Sequence, residues 1–166
     1  STVADLCSAP GGKTLEIARH IGQGAVFAGD RSLARLARMH ENLVPLSANA
    51  SASASASGAR NIHLFVADAN VPPLRQVDAV LLDAPCTGTG TFRGQPDAPW
   101  GMKVSDIAVM AALQRNLIRA AAQLVRRGGL LIYSTCSLEV EENDAQVDGL
   151  LAEQPEFSIE PPLPGT

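Results

Sequence analysis

Apolar residues come along this chain in short clusters that change period, and the changes mark its elements. Thr2–Leu6 is a brief apolar run that reads as a strand. Leu15, Ile17, Ala18 and Ile21 then fall at helical spacing behind the segment 7–12. A second unit follows, with Ala25–Gly29 as strand and Leu33, Leu36, Ala37, Met39 and Leu43 on a helix ending near Pro45. His63–Ala67 and Ala79–Asp83 are further strands. After a long connection, Ile107, Met110, Leu113, Leu117, Ala121 and Leu124 share one face of a helix near Asp106–Arg126, which Gly128-Gly129 is expected to end. The strand Leu130–Ser134, an acidic helix at Glu139–Glu153 and a Pro-rich end at 161–164 complete the pattern. Strands alternating with helices or loops predict an α/β fold with an open, doubly wound, mainly parallel sheet, whose ligands sit beyond the carboxyl ends of the strands. Asp5, Asp30, Asp68, Asp83 and Cys136 all fall at or just after those ends.

Residues 47–58 depart from this pattern. They alternate Ser and Ala, offer no large apolar side chain to a core, and predict a low-complexity surface loop. The whole chain, 166 residues at 46% hydrophobic, suits a single globular domain. No apolar run approaches the roughly 18 residues of a membrane span and no signal-type leader is visible, so a soluble intracellular protein with no membrane partner is expected. Cys7, Cys86 and Cys136 are odd in number and widely spaced, which suggests neither a disulfide framework nor a metal site. The net charge of -4 argues against a strongly basic nucleic-acid binder, but the charge is uneven. All 13 basic residues precede Glu139, after which the chain is acidic, and the earlier part therefore supports modest phosphate binding.

Three segments carry candidate chemistry. In DLCSAPGGKT, residues 5–14, glycines let backbone N–H groups approach a ligand at a helix N-terminus, which implies a polar, charged ligand. A lone Gly-Gly is more often a plain turn; its place directly after the first strand reverses those odds. Asp30 ends the second strand near the spacing, about 20 residues past the glycines, at which a carboxylate accepts hydrogen bonds from a ribose, and so points to a nucleoside-containing cofactor. A helix N-cap is the equal alternative for Asp30. At 83–90, Asp-Ala-Pro-Cys-Thr-Gly-Thr-Gly sets Asp83 and Cys86 in a proline-stiffened loop at a strand end. Taken alone, Cys86 would more often be a small buried hydrophobe and Asp83 a loop cap. Cys136, in Tyr-Ser-Thr-Cys-Ser, follows the last strand on the same sheet edge, so the two thiols are placed to share one pocket.

In order and spacing, DLCSAPGGKT, LLDAPCTGTGTFRGQPDAPW and LIYSTCSLEVEEN resemble the cofactor loop, the Pro-Cys motif and the Thr-Cys-Ser motif of the RNA 5-methylcytosine methyltransferases, the family of the bacterial 16S rRNA cytosine-C5 methylase and the Nop2/Sun proteins. The resemblance implies a Rossmann-like class I fold that uses S-adenosyl-L-methionine. It implies that Cys7, Ser8, Ala9, Pro10, Gly11, Gly12 and Lys13 wrap the methionine portion of this cofactor, that Asp30 holds its ribose and that Asp68 contacts its adenine. Asp83 would lie near the methyl donor and bind the cytosine amino edge, with Lys13 as its ion-pair partner. Phe92, Arg93 and Trp100 would line the RNA cleft, although Trp100 equally suits core packing. Cytosine C5 is a weak nucleophile until a thiolate adds to C6. By the family likeness Cys136 attacks and Cys86 assists release, on a base that is unstacked or single-stranded. The RNA partner would be rRNA or tRNA. The family's N-terminal RNA-binding region and closing strands have no counterpart, so the resemblance implies a catalytic fragment truncated at both ends. It also implies a cytoplasmic location for a bacterial source and a nuclear or nucleolar one for a eukaryotic source.

Three rivals compete with this reading. Gly12-Lys13-Thr14 and Val80–Asp83 resemble parts of a P-loop nucleotidase, but the glycine required five residues before Gly12 is Cys7. A DNA cytosine methyltransferase would use the cysteine after proline as nucleophile, whereas Thr-Cys-Ser at 135–137 favours RNA. A degenerate methyltransferase fold serving as an RNA-binding or assembly module would have no need of Lys13, Asp83, Cys86 and Cys136 together.

Overall fold

A computed structural model describes residues 1–48, 61–94 and 103–161. Its apolar runs become five strands, β1 Thr2–Asp5, β2 Ala25–Asp30, β3 Ile62–Val66, β4 Val77–Asp83 and β5 Val125–Ser134, paired in the order β3-β2-β1-β4-β5. Every pairing is parallel. Parallel strands flanked by helices are buried on both faces, and Val3, Ala4, Val26, Ala28, Val80 and Leu82 fill the middle of the sheet accordingly. The strand order turns at β1, which has β2 on one side and β4 on the other, so the topological switch point falls between β1 and β4.

Four α-helices among the described residues accompany the strands: α1 Gly12–His20, α2 Leu33–Ala48, α3 Val104–Leu124 and α4 Asp144–Glu153. On α2, Leu36 and Met39 pack with Ala28, and Leu43, Ile62 and Leu64 close around them. The C-terminal half of α3 buries Leu117, Ile118, Ala121, Ala122 and Leu124. The chain divides into two compact units: Ser1–Pro85 with Asn116–Thr135, which holds the whole sheet, and Cys86–Arg115 with Cys136–Thr166. No helix among the described residues is long and apolar enough to cross a membrane.

Several boundaries differ from the sequence pattern for identifiable reasons. The helix α2 runs through Pro45 to Ala48, one turn past the proline at which the sequence pattern ends it, so little helix lies beyond the main-chain bond that the proline cannot make. Of the Ser/Ala stretch, residues 47 and 48 close that helix, while 49–58 lie outside the described residues, as do Trp100 and 162–164. Gly128-Gly129 does not end α3. The helix stops at Leu124, and the two glycines form a bulge inside β5, where the register passes from Val77↔Val125 directly to Ala79↔Leu130. The acidic segment is no continuous helix either. A 3₁₀ turn at Val140–Glu142 precedes α4, and between them the Asn143 side chain donates to the carbonyls of Ser137 and Glu139, 2.9 Å each.

The β5 bulge is closely fitted. Gly128 has φ +71°, and a Cβ added to Gly129 would come within 2.6 Å of the Asp78 carbonyl oxygen and 2.9 Å of that of Arg126. The Asp78 side chain accepts the Thr2 N–H at 2.6 Å and the Arg126 Nε–H, so it ties β1, β4 and the bulge together. These bonds, from the Thr2 backbone first and Arg126 next, hold the Asp78 carboxyl below its ordinary range. Gly129→Ala must displace main chain rather than a flexible side chain. It is expected to destabilise the protein by about 1–3 kcal/mol, read as a lower urea midpoint with unchanged slope.

Candidate cofactor site and thiol pair

The loop after β1 is held on the sheet by its own backbone. The Leu6 N–H donates to the Leu81 carbonyl at 3.1 Å and the Ser8 N–H to the Gly29 carbonyl at 3.0 Å. The loop contains a cis Ala9-Pro10 bond and then Gly11 at φ +106°, where a Cβ would meet the Met39 Cγ at 2.8 Å. Only glycine suits both that conformation and that proximity. Helix α1 begins at Gly12 without a side-chain cap, so the first N–H groups of the helix are available to an anionic group.

Carboxylates stand around this loop. Asp5 is buried; its Oδ2 accepts the Thr14 hydroxyl at 2.6 Å and its Oδ1 has no partner. Burial pushes the Asp5 carboxyl up to about 6, with the Thr14 bond opposing and the nearby Asp83 adding to the rise. Asp83 accepts Lys13 Nζ on Oδ2 and the Ser134 hydroxyl on Oδ1, each at 2.7 Å. Burial, and then Asp30 and Asp5, push the Cys7 thiol up to about 12, so Cys7 is no nucleophile at neutral pH. Asp5, Asp83 and the loop 7–13 enclose a cavity of about 160 Å³. That volume fits one end of a nucleoside cofactor rather than all of it.

Asp30 and Asp68 do not line this cavity. Asp30 is buried at the end of β2, where its Oδ1 accepts the Ser32 N–H and Arg35 Nη2, both at 2.8 Å, and its Oδ2 is unpartnered. The helix N-cap is Ser32, whose hydroxyl accepts the Arg35 N–H at 3.3 Å; the cap alternative for Asp30 therefore falls. Asp68 is exposed and accepts the N–H and side-chain amide of Asn70, at 2.8 and 2.9 Å. Asp5 Oδ1, Ser8 Oγ and Asp30 Oδ2 are thus buried acceptors with no protein partner on one stretch of sheet edge. A cofactor with an ammonium group and ribose hydroxyls fits that set, since it would supply the missing donors.

The second unit brings the other two cysteines together. Cys86 Sγ and Cys136 Sγ are free thiols 2.7 Å apart, and the Cys136 N–H donates to Cys86 Sγ at 3.2 Å. The Gly90 N–H donates to the Cys136 carbonyl at 3.0 Å, and a Cβ on Gly90 would lie 2.8 Å from that oxygen. Cys86 is half-buried and Cys136 exposed. Burial, and then the bond with Cys136, push Cys86 up to about 11, so it keeps its proton at neutral pH. Phe92 and Arg93 lie on the 3₁₀ turn Thr89–Gly94 in this unit.

Sequence reasoning missed Ser134 as a partner of Asp83, Thr14 as a partner of Asp5, Arg35 as the cation on Asp30, and Glu142. Ser134 and Thr14 had a legible signal, since both stand beside strand or helix ends already singled out. Glu142 falls inside the acidic segment Glu139–Glu153, where nothing in the sequence sets it apart from its neighbours, yet it is buried.

A parallel sheet of this order, with a glycine-bearing loop and strand-end carboxylates at its switch point, defines a Rossmann-like class I S-adenosylmethionine-dependent methyltransferase fold. Solved structures agree. The chain matches the crystal structure of PH0851 with TM-score 0.86 at 36% identity, covering 99% of this chain and 36% of that one. It matches NSun6 from Pyrococcus horikoshii, solved with the S-adenosylmethionine analogue SFG, with TM-score 0.77 at 36% identity, covering 92% of this chain and 37% of that one. The family model described as 16S rRNA methyltransferase RsmB/F matches residues 1–163, and the chain belongs to that family. Among curated relatives, the probable ribosomal RNA small subunit methyltransferase B of Synechocystis is 38% identical over 165 residues, 96% of this chain and 34% of the relative. The chain thus spans about a third of the length of the relatives it matches.

The raised Asp5 carboxyl gives a signed pH effect. Between pH 3.8 and about 6 the folded protein holds more protons at Asp5 than the unfolded chain does, so stability falls as pH rises through that window. Asp5→Asn, which keeps an acceptor for Thr14, is expected to remove this fall and to stabilise the ligand-free protein at pH 7 by on the order of 1–3 kcal/mol. Urea titrations of both proteins at pH 4.5 and pH 7 check the sign.

Proposed function

We propose that this chain is the catalytic part of an enzyme that methylates C5 of cytosine in RNA, with rRNA as the favoured substrate and S-adenosylmethionine as methyl donor. The observation that carries the proposal is the thiol pair, two free cysteines in contact with unequal exposure. When bound, the cofactor supplies an electrophilic methyl group. The loop 7–13 and Asp5 would hold its amino-acid end, Asp30 its ribose and Asp68 its adenine, while Asp83, fixed by Lys13 and Ser134, would receive the cytosine amino edge.

The chemistry asked of the thiols is addition and elimination. The Cys136 thiolate adds to C6, which turns C5 into a nucleophile for the methyl group; a solvent water then takes the C5 proton, the C5–H electron pair re-forms the C5–C6 double bond, and the C6–S bond breaks to return the thiolate. Two features favour Cys136 as the attacking group over the DNA-type alternative, in which Cys86 attacks: Cys136 is the exposed thiol, and Cys86 retains its proton and is able to donate it toward Cys136. Cys86 is then left to assist release.

Two measurements bear on this reading. Calorimetry with S-adenosylmethionine is expected to show Asp30→Ala binding more weakly by about 1–3 kcal/mol, and unchanged affinity in a folded variant would remove Asp30 from the cofactor site. In the full-length parent enzyme, Cys136→Ser is expected to abolish methyl transfer and RNA crosslinking. Cys86→Ser is expected to accumulate a protein–RNA adduct that survives denaturing electrophoresis. Exchanged phenotypes would make Cys86 the nucleophile.

A further inference from the structure

Glu142 has no part in the reading above, yet it is fully buried in the thiol-bearing unit and its carboxylate gathers donors from several segments. The Thr87 N–H reaches Oε1 at 3.0 Å, the Thr87 hydroxyl bonds Oε2, and Gln114 Nε2 on α3 reaches Oε1 at 3.0 Å. The Ser137 hydroxyl bonds the same carboxylate and also lies 3.3 Å from the Thr87 hydroxyl. Burial pushes this carboxyl up, but the bonds from Ser137, Thr87 and Gln114 outweigh burial and hold it below the ordinary range, so it stays ionised at neutral pH. A buried charge is tolerable only with such a complete set of partners.

The placement of those partners gives Glu142 a specific task. Thr87 follows Cys86 and Ser137 follows Cys136, so one carboxylate is bonded to the residue after each thiol. We propose that Glu142 is the positioning residue of the thiol pair, fixing the Pro-Cys loop against the Thr-Cys-Ser loop so that Cys86 and Cys136 stay in contact. The proposal deepens the two-thiol reading and rests on it for its catalytic meaning, whereas the contact is measurable without RNA or cofactor. Glutamine in this position keeps the shape but turns one acceptor oxygen into an NH₂ donor facing other donors, so the two loops lose their common acceptor.

The test uses the purified chain and dibromobimane, in which each of two neighbouring thiolates displaces one bromide, with the bridged peptides mapped by mass spectrometry so that Cys7 is not counted. The wild-type protein is expected to form the Cys86–Cys136 bridge. Glu142→Gln is expected to form it about tenfold more slowly, and Thr87→Val, which removes one donor without changing the core volume, about threefold more slowly. Alkylation of Cys136 alone by iodoacetamide is expected to stay within about twofold of wild type, since positioning and not access is altered. If Glu142→Gln does not fold, Thr87→Val decides. The proposal is overturned if the folded variants bridge at the wild-type rate, if the wild type does not bridge, or if alkylation of both cysteines rises together, the mark of a merely loosened fold. Failure of the catalytic reading shows instead in the Cys136→Ser and Cys86→Ser gels. Wild-type bridging in Glu142→Gln with those gels as expected sinks only the positioning role.

Discussion

The parallel pairing of β1 with β2 on one side and β4 on the other makes β1 the place where the strand order turns, and a crevice outside the carboxyl ends of the strands is the general consequence of such a switch point. The groups assigned to cofactor binding are consequences of that constraint. The loop 7–13 leaves β1 over the crevice, Asp83 ends β4 beside it, and β5 brings Ser134 to Asp83 through the register that pairs the two residues. Because three parallel strands fix these groups, the Lys13–Asp83 pair does not have to contribute much stability. It is partly exposed, and its use is to orient the carboxylate rather than to hold the fold.

The two halves of the proposed chemistry use opposite electrostatic strategies. At the candidate cofactor site, Asp5 is held in a place that penalises its charge and one of its oxygens has no protein partner, so a cationic group beside it would relieve that cost. Around the thiols, Glu142 is charged and satisfied, and the group left under-stabilised is Cys86, which burial keeps protonated. Destabilised groups thus stand where a ligand or a proton has to be exchanged, and satisfied ones where a loop has to stay still.

What was legible in the sequence follows from which physical signal is local. Strand cores and the residues at their carboxyl ends were readable, because apolar runs and the loss of periodicity lie within a few residues of each other; Asp5, Asp30, Asp83 and Cys136 were located this way. Family likeness supplied the roles, which periodicity could not. The end of α3 was misplaced because Gly-Gly is a common helix stop, and only the register of β4 against β5 distinguishes a stop from a bulge. Asp30 and Ser32 compete for the same cap, and the arbiter is the direction of two hydrogen bonds. Glu142 was hidden because its partners Thr87 and Gln114 are 55 and 28 residues away, and a run of acidic residues reads as a wet helix face until those partners are seen.

The bond from Thr2 to Asp78 spans 76 residues and joins the strand at the centre of the sheet to a neighbour made much later in synthesis. As the polypeptide emerges from a ribosome, β1 can pair with β2 well before β4 exists, and the other edge of β1 stays unpaired during that interval. The edge that waits is the one that will form the crevice wall. Long-range parallel pairing is slow to close, so the nascent chain carries a half-built crevice at least until the 76 residues from Thr2 to Asp78 have been made.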